Sequence, residues 1–337
     1  NVKVVVDFIS IPEMAAKLTS EVMAGKGHDI IGFENLQVAL HKDNVVSLDD
    51  VVEEITSQYG EFDKVMKDVC FHDGHWKALP WWTVPFHGLY RRDYLEEVGA
   101  SSPETWYDLL SISKKLKANG HPVGLAISSC WDSNNWLCPL LLSFGAKIVD
   151  ENGKILIDSE ETRKALNYVK ELYQEGMASD VLAWDNSGNN TFILSGVGSW
   201  TMNPLSIYIV AERENPELAR NIYTQLVPAG EEGRFGSGDI YGFMVWEFSE
   251  NVDLAKEFLK YIYEENNFIS YLEDGQGHNI PPLSYFREPI WERDERVDEI
   301  IDFPLYQHYF GWPAPPDERI QEVGVRFLVP TMFAQVV

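Results

Sequence analysis

The sequence predicts an α/β protein, because helix and strand patterns alternate along it. Val2 to Phe8 is predicted as a strand, Ile11 to Val22 as a helix that closes at Gly25, and His28 to Phe33 as a second strand. This βαβ order is typical of a parallel sheet. The chain has 337 residues, 45% of them apolar and 13% aromatic, so it can bury a large core as one domain or as two lobes.

The same α/β pattern continues to the C-terminus. Helices are predicted at 48–58, 62–69, 103–118 and 160–175, and from Asn251 through Tyr261. Strands are predicted at 78–82, 86–90, 123–127, 222–227 and 240–246. Hairpin turns are indicated by Asp73-Gly74 and by residues 151–154. The segment 274–289 is rich in Gly and Pro and is predicted to cross between substructures.

The charge of the chain excludes some partners. Its 27 basic and 53 acidic residues give a net charge of −26. This field repels nucleic acid and anionic membrane surfaces, and it disfavours a polyanionic ligand. No apolar run reaches the ~20 residues that a membrane span needs, so no transmembrane helix is predicted.

Motifs for catalysis, cofactors and metals are missing from the sequence. It contains no GxxxxGK[ST], GxSxG, HExxH or EF-hand pattern, so neither a cofactor nor a metal is predicted. His72 and His75 have a spacing that a metal could use, but two histidines make an incomplete site, and both are predicted at the surface. Cys130 and Cys138 could pair under oxidising conditions, although buried free cysteine is the commoner state.

One segment resembles a known family. Residues 72–110 read HDGHWKALPWWTVPFHGLYRRDYLEEVGASSPETWYDLL. They resemble the family 1 extracellular solute-binding proteins of ABC importers, of the maltodextrin-binding type, whose pattern here is close to "DGkwYalP…lyYnkdlfekaGl…P.TWdEll". The resemblance implies the two-lobe, type II fold of periplasmic binding proteins, with the ligand in a cleft between two α/β lobes.

The resemblance also implies where the chain passes between the lobes. The expected crossings lie near Thr83 to His87, Gly236 to Tyr241 and Ile280 to Ser284. Lobe 1 is then expected to comprise 1–84 plus 241–282, and lobe 2 to comprise 85–240 plus 283–337.

Both ends of the chain depart from the family pattern. The family normally has one more strand and helix before the strand that matches Val2 to Phe8, and it usually continues with further helix beyond 329–333. We therefore expect this chain to be a fragment that lacks the first strand-helix unit and the C-terminal end. Any export signal is expected to lie outside it, since the chain opens directly at Asn1.

The segment 131–136, Trp-Asp-Ser-Asn-Asn-Trp, has the composition of a sugar-binding loop. Sugar rings stack on flat aromatic side chains, and their hydroxyls need a few fixed polar groups. The segment follows the predicted strand 123–127, and open α/β sheets bind ligands at the carboxyl ends of strands. In the alternative interpretation, Ser133 or Asn134 caps a helix and Trp136 belongs to the core.

Other candidates fit the same cleft. The family's turn equivalent to residues 33–35 supplies polar ligand contacts. Trp81 and Trp82 are expected to face opposite sides of a strand, which puts one of them in the cleft. Trp200 lies in a segment that matches the family element "a.m..ngpW", with the aromatic residue displaced. The predicted ligand contacts are Phe33, Glu34, Asn35, Trp82, Trp131, Asp132, Asn134, Trp136, Trp200, Asn203, Asp239, Tyr241 and Trp312. For any single aromatic residue, a place in the core is an equal alternative.

The function implied is a non-enzymatic, extracytoplasmic protein that binds a sugar or oligosaccharide and delivers it to the membrane subunits of an ABC permease. It is expected to be a monomer whose lobes close on the ligand. Two alternatives stay open: a polysaccharide-active hydrolase with the same aromatic cleft, and a binding protein for a cationic non-sugar solute.

Overall fold

A computed structural model describes residues 2–287 and 294–337 of the chain. The α-helices are α1 Ile11–Ala24, α2 Gln37–His41, α3 Asp49–Tyr59, α4 Lys64–Cys70, α5 Arg92–Glu97, α6 Trp106–Ala118, α7 Trp131–Ser143, α8 Glu160–Glu175, α9 Gly188–Leu194, α10 Ser206–Glu214, α11 Pro216–Ala219, α12 Val252–Ile262, α13 Glu265–Asp274, α14 Glu318–Val325 and α15 Leu328–Ala334. Short 3-10 helices are Val181–Ala183, Ser284–Phe286 and Asp298–Leu305. Most of the predicted helices are confirmed within a few residues.

The strands are β1 Ile30–Glu34, β2 Phe71–His72, β3 His75–Trp76, β4 Leu79–Arg91, β5 Trp200–Asn203, β6 Ile222–Gln225 and β7 Ser237–Val245. The main sheet has the order β1-β7-β4-β5, with β6 also on β4. Every pair of these described strands is antiparallel. The prediction of a parallel sheet is therefore wrong for them.

The predicted first strand is also wrong. Residues 2–10 form no strand, and Val5 and Phe8 are 69% and 96% exposed. A β-strand needs a neighbour for its backbone N–H and C=O groups, and no strand pairing includes these residues. The apolar residues of this segment indicated only that it could face a core. They could not indicate whether another strand lies next to it, and among the described residues none does.

Strand β4 joins two hydrophobic cores. Its first half pairs with β7 from Leu79 to Phe86, and its second half pairs with β5 and β6 from His87 to Arg91. The sequence predicted two separate strands here, and the structure joins them into one. The Thr83 hydroxyl lies 3.1 Å from the backbone oxygen of Asp239 and 2.9 Å from Oε1 of Gln307, which ties the middle of β4 to its neighbours.

The two cores are separate clusters of buried side chains. One contains Phe33, Val51, Met66, Trp246 and Phe268, and the other contains Trp106, Trp136, Leu172, Trp200 and Phe303. Leu283 and Phe286, expected in lobe 2, pack in the first core. We therefore propose that Leu283 and Phe286 belong to lobe 1. Residues 288–293 lie outside the described residues.

Two further expectations about local structure are wrong. The predicted strand 123–127 forms only isolated bridges, from Val123 to Met177 and to Trp200. The segment 131–136 is the beginning of α7 instead of a loop, and the Ser133 hydroxyl accepts a hydrogen bond from the Ser128 backbone N–H at 3.0 Å. Ser128 precedes the helix, and α7 begins after Cys130 without a side-chain cap, so the alternative in which Ser133 or Asn134 caps the helix is also wrong.

The two predicted turns, the cysteines and the candidate metal-binding histidines are all described in the structure. The Asp73-Gly74 hairpin is confirmed by the β2–β3 pair, and the turn at 151–154 by the bridge from Val149 to Ile155. All three cysteines are buried and unpaired. His75 is exposed and its Nδ1 lies 2.6 Å from Asp49, and the described residues contain no group of three potential metal ligands.

Candidate functional site

A pocket lies where elements of the two cores meet. One side is formed by Asn35 and the first residues of β7. The other side is formed by α7, by two residues that follow it and by the segment 308–312. The lining comprises Asn35, Trp131, Asn134, Asn135, Cys138, Pro139, Leu141, Leu142, Ala146, Ile148, Gly236, Ser237, Gly238, Asp239, His308, Tyr309, Phe310, Gly311 and Trp312. Five predicted ligand contacts therefore come together here: Asn35, Trp131, Asn134, Asp239 and Trp312.

Asn35 fixes the first-core side of the pocket to β7. Its φ of 52° lies in the left-handed region, which asparagine tolerates better than most residues. Its backbone N–H donates to the Ile240 oxygen at 2.7 Å, and its side-chain oxygen accepts from the Ile240 N–H at 2.9 Å. Its Nδ2 donates to Oδ1 of Asp239 at 3.1 Å. The Asp239 carboxylate is thereby held in place at the pocket wall.

An acidic and aromatic cluster adjoins this wall. The Tyr241 hydroxyl donates to Oε1 of Glu34 at 3.2 Å, and the Tyr241 ring stacks on Trp82 with centroids 5.5 Å apart. Trp81 and Trp82 do not point to opposite sides as expected, because a β-bulge interrupts the alternation between Pro80 and Trp82. Both indole rings contact Tyr271, at 5.0 and 5.1 Å.

Helix α7 presents buried polar atoms that have no partner among the described residues. They are Oδ2 of Asp132, Oδ1 of Asn134 and Nδ2 of Asn135. The Nδ2 of Asn134 donates to the Gly324 oxygen at 3.1 Å, which fixes the orientation of that amide. Asn134 and Asn135 line the pocket, whereas Asp132 is not among its lining residues. Since more than nine in ten buried polar groups are paired in proteins, the unpaired atoms of the two asparagines indicate a place for ligand groups.

The acidic side chains of the site have raised pKa values. Burial raises the pKa of Glu34 to about 7, with a smaller contribution from the negative charge of Asp239. Burial raises the pKa of Asp239 to about 6, partly offset by the hydrogen bond from Asn35. For Asp132, burial and then the charge of Asp239 raise the pKa to about 7. These three carboxylates therefore share one electrostatic environment.

The segment 308–312 forms an aromatic wall that the sequence predicted only at Trp312. The His308 and Trp312 rings lie 4.2 Å apart, and Phe310 lies edge-on to Trp131 at 6.3 Å. Burial lowers the pKa of His308 to about 4, so its ring is neutral at pH 7. The run of aromatic residues before Trp312 was the available signal for His308, Tyr309 and Phe310, but their contact with α7 comes from tertiary packing.

Four predicted contacts lie in the protein interior, away from the pocket lining. Phe33 and Trp136 are each 1% exposed and Trp200 is fully buried, so all three belong to the cores. The Trp136 indole N–H donates to the Ala126 oxygen at 2.7 Å. The Asn203 amide donates to Pro204 O and Ser206 Oγ and accepts from Asn189. All four side chains are buried, and the polar groups of Trp136 and Asn203 are hydrogen-bonded to other residues of the protein. We therefore do not retain these four residues as ligand contacts.

The fold and the pocket together define a two-lobed α/β binding protein. The chain belongs to the bacterial extracellular solute-binding protein family, whose sequence profile matches residues 1–297. Membership of this family implies an extracytoplasmic location. Within the described part of the chain, no helix has the length and apolar character needed to cross a membrane.

Two curated relatives are similar in sequence. The arabinooligosaccharide-binding protein of Halalkalibacterium halodurans is 22% identical over 229 residues, which cover 66% of this chain and 51% of the relative. YcjN of Escherichia coli, a putative ABC transporter periplasmic-binding protein, is 22% identical over 271 residues, covering 74% of this chain and 59% of YcjN. The chain thus spans about half of the length of the first relative and somewhat more of the second.

Solved structures confirm the two-lobe fold. Maltose-bound MalE3 of T. maritima superposes with a TM-score of 0.79 at 20% identity, covering 96% of this chain and 84% of that one. The sugar-binding protein MalE of Xanthomonas citri superposes with a TM-score of 0.80 at 18% identity, covering 97% and 84%. At these identities the likeness shows the fold alone.

Proposed function

We propose that this protein is the substrate-binding component of an ABC importer and that it binds a sugar or oligosaccharide in the pocket between its two cores. It acts outside the cytoplasm as a monomer and passes its ligand to the permease subunits. Membership of the solute-binding family supports the binding role. Sugar as the ligand is supported by the names of the relatives, one an arabinooligosaccharide-binding protein and another a structure with maltose bound.

The main support for sugar binding is the combination of aromatic rings and unpaired amide atoms on the α7 side of the pocket. The half-buried rings of Trp131 and Trp312 offer flat apolar surfaces, on which the C–H faces of a sugar ring can stack. Asn134 and Asn135 line the same pocket and hold buried polar atoms without partners in the described structure. Sugar hydroxyls both donate and accept hydrogen bonds, so they can satisfy an amide oxygen and an amide N–H at once.

Binding by lobe closure follows from where the lining residues come from. Asn35 and Asp239 belong to the β1–β7 side, whereas Trp131 and Trp312 belong to the α7 side. A ligand that contacts both sides favours the arrangement in which they are close, and it thereby shifts the population toward the closed form. Micromolar affinity, about −8 kcal/mol, suffices for capture and still permits release.

The proposal is tested by titration calorimetry against a panel of mono- and oligosaccharides, with thin-layer chromatography of the same samples. We expect saturable binding of at least one sugar and no new products after prolonged incubation. Turnover of a sugar at catalytic protein concentration would favour the hydrolase alternative instead. Failure of every sugar to bind, with the protein folded by circular dichroism, would contradict sugar binding.

A further inference from the structure

The wall of the pocket changes from polar to apolar along helix α7. The lining residues of this helix recur every three or four positions, so they lie on one face of it. Asn134 and Asn135 form the amide end of that face, and the residues from one helical turn later onward form the apolar end. The apolar end comprises Cys138, Pro139, Leu141 and Leu142, together with Ala146 and Ile148 beyond the helix.

The amide end presents one acceptor and one donor in fixed orientations. The Nδ2 of Asn134 donates to the Gly324 oxygen at 3.1 Å, which leaves Oδ1 of Asn134 without a partner among the described residues. The Ser237 hydroxyl donates to Oδ1 of Asn135 at 3.3 Å, which leaves Nδ2 of Asn135 without one. Asn134 is 1% exposed and Asn135 is 8% exposed, so solvent reaches neither side chain freely.

Pro139 helps to hold Asn135 in this orientation. Proline has no N–H group, so residue 139 cannot donate to the Asn135 backbone oxygen as the helix pattern requires. The Ser237 hydroxyl donates to that oxygen at 2.5 Å instead. Ser237 is the first residue of β7, so Asn135 is tied to the opposite wall of the pocket.

The apolar end offers a hydroxyl no strong side-chain partner. None of its side chains carries nitrogen or oxygen, and the Cys138 thiol is only a weak hydrogen-bonding group. A sugar hydroxyl placed there would lose its hydrogen bonds to water without replacement. A methyl group would instead be stabilised by leaving water.

We propose that the preferred ligand is a saccharide that carries an acetamido group. The amide N–H donates to Oδ1 of Asn134, the carbonyl oxygen accepts from Nδ2 of Asn135, and the methyl group lies in the apolar end. This inference rests on the proposed sugar-binding function and specifies the class of sugar.

An acetamido group matches all three features of this wall. It has one N–H donor, one carbonyl acceptor and one methyl group on neighbouring atoms. A hydroxyl can satisfy both asparagines, but it leaves the apolar end without a matching group. The methyl group of a deoxy sugar fits the apolar end, but it brings neither a donor nor an acceptor to the asparagines.

The first experiment compares matched sugars by titration calorimetry at pH 7: N-acetylglucosamine with glucose, N-acetylgalactosamine with galactose, and N,N′-diacetylchitobiose with cellobiose. We expect the acetamido member of the best-binding pair to bind at least about 10-fold more tightly, the combined effect of one buried methyl group and one hydrogen bond. Equal or tighter binding of the hydroxyl member overturns the inference and leaves the proposed function standing. The same holds if none of these sugars binds but another mono- or oligosaccharide does, whereas both proposals fail if no sugar binds.

Three further sugars separate the parts of the acetamido group in the same experiment. Glucosamine keeps the nitrogen without the carbonyl and methyl groups, N-formylglucosamine keeps the amide without the methyl group, and L-fucose has a ring methyl group without the amide. We expect each to bind at least about 3-fold more weakly than the best acetamido sugar. If any of the three binds as tightly, the part that it lacks is not recognised, and the inference is overturned.

The second experiment tests the assigned residues. Asn135→Leu keeps the approximate size of the side chain and removes the donor, while the backbone oxygen of residue 135 can still accept from Ser237. Leu142→Asn places an amide in the apolar end at a half-buried position. We expect the ratio of acetamido to hydroxyl affinity to fall by about 5-fold in each variant. Leu166→Asn is the matched control, because Leu166 is a half-buried leucine of α8 that does not line the pocket.

Circular dichroism shows which variants are folded. An unchanged affinity ratio in both folded pocket variants overturns the assignment of the acetamido site, and if one variant fails to fold, the other decides. A fall of the ratio in Leu166→Asn equal to that in Leu142→Asn also overturns it, because the effect would then not come from the pocket.

Discussion

Tryptophan has two separate roles in helix α7. Trp131, at the first position of the helix, is half-buried and lines the pocket. Trp136, little more than one turn later, is 1% exposed and packs in the second core, with its indole N–H bonded to Ala126. The sequence showed that both were candidates for ligand contact, but only their burial distinguishes the ring that lines the pocket from the ring that packs in the core.

We expect replacements of these two tryptophans to have opposite effects. Trp136→Ala removes a buried ring and should lower the free energy of unfolding by about 3–5 kcal/mol. Trp131→Ala should weaken sugar binding by about 1–3 kcal/mol and change stability less. Denaturant unfolding and calorimetry on both variants measure the two effects. Trp131→Ala with parent affinity would remove this ring from the binding site.

The raised pKa of Glu34 predicts a pH dependence of stability. With a pKa near 7 in the folded state, compared with 4.5 as the ordinary value, the folded protein holds a proton that the unfolded chain has lost between these values. Stability should therefore fall as pH rises from 5 to 7.5, and Glu34→Gln should remove roughly 1 to 2 kcal/mol of that fall.

Unfolding free energies of the parent and of Glu34→Gln, measured at pH 5 and at pH 7.5, test this expectation. His28, with a raised pKa, and His87, with a lowered one, titrate in both proteins, so their contributions cancel in the difference. Identical pH slopes in the two proteins would show that Glu34 is ionised in the folded state at neutral pH.

At the scale of secondary-structure elements, helices with capping residues at their ends could be predicted from the sequence. Whether an apolar segment pairs as a strand could not. Helix α8 begins at Glu160 and ends at Glu175 as predicted, because Ser159 caps it and Gly176 follows it. The apolar run 123–127 predicted a strand, but it makes only single bridges, from Val123 to Met177 and to Trp200 of β5. An apolar pattern specifies burial, whereas a strand also requires a partner that local sequence does not specify.

The capping box at the start of α6 allows the contribution of one helix cap to protein stability to be measured. The Thr105 hydroxyl accepts from the Asp108 N–H at 3.1 Å, and Asp108 accepts from the Thr105 N–H at 3.0 Å, which completes a capping box. Thr105→Ala should lower the free energy of unfolding by about 1 kcal/mol. Thr19→Ala is the control, since Thr19 lies inside α1 and its hydroxyl donates to the Ala15 oxygen at 2.8 Å. Equal losses in the two variants would show that the cap contributes nothing specific.

At the scale of the whole molecule, the resemblance in residues 72–110 predicted the two-lobe fold, and composition predicted an aromatic pocket with polar groups. The sequence could not predict that the segment 308–312 packs against α7, because these elements are far apart in the chain and meet only in the folded protein. It also could not separate Trp200 in the core from Trp312 in the pocket, since the neighbours of each residue in the sequence do not specify whether its ring is buried.

Closure of the lobes should be visible as a change of size in solution. Because the pocket is lined from both cores, a bound sugar should hold them together, and the radius of gyration from small-angle scattering should decrease when the best-binding sugar is added. Trp131→Ala should contract less than the parent at a sugar concentration that half-saturates the parent, and fully at saturation, since the variant changes affinity and not the closed form. A sugar that does not bind in calorimetry serves as the control. A radius that stays constant in the saturated parent protein would contradict closure and would mean that the pocket binds its ligand as a rigid site.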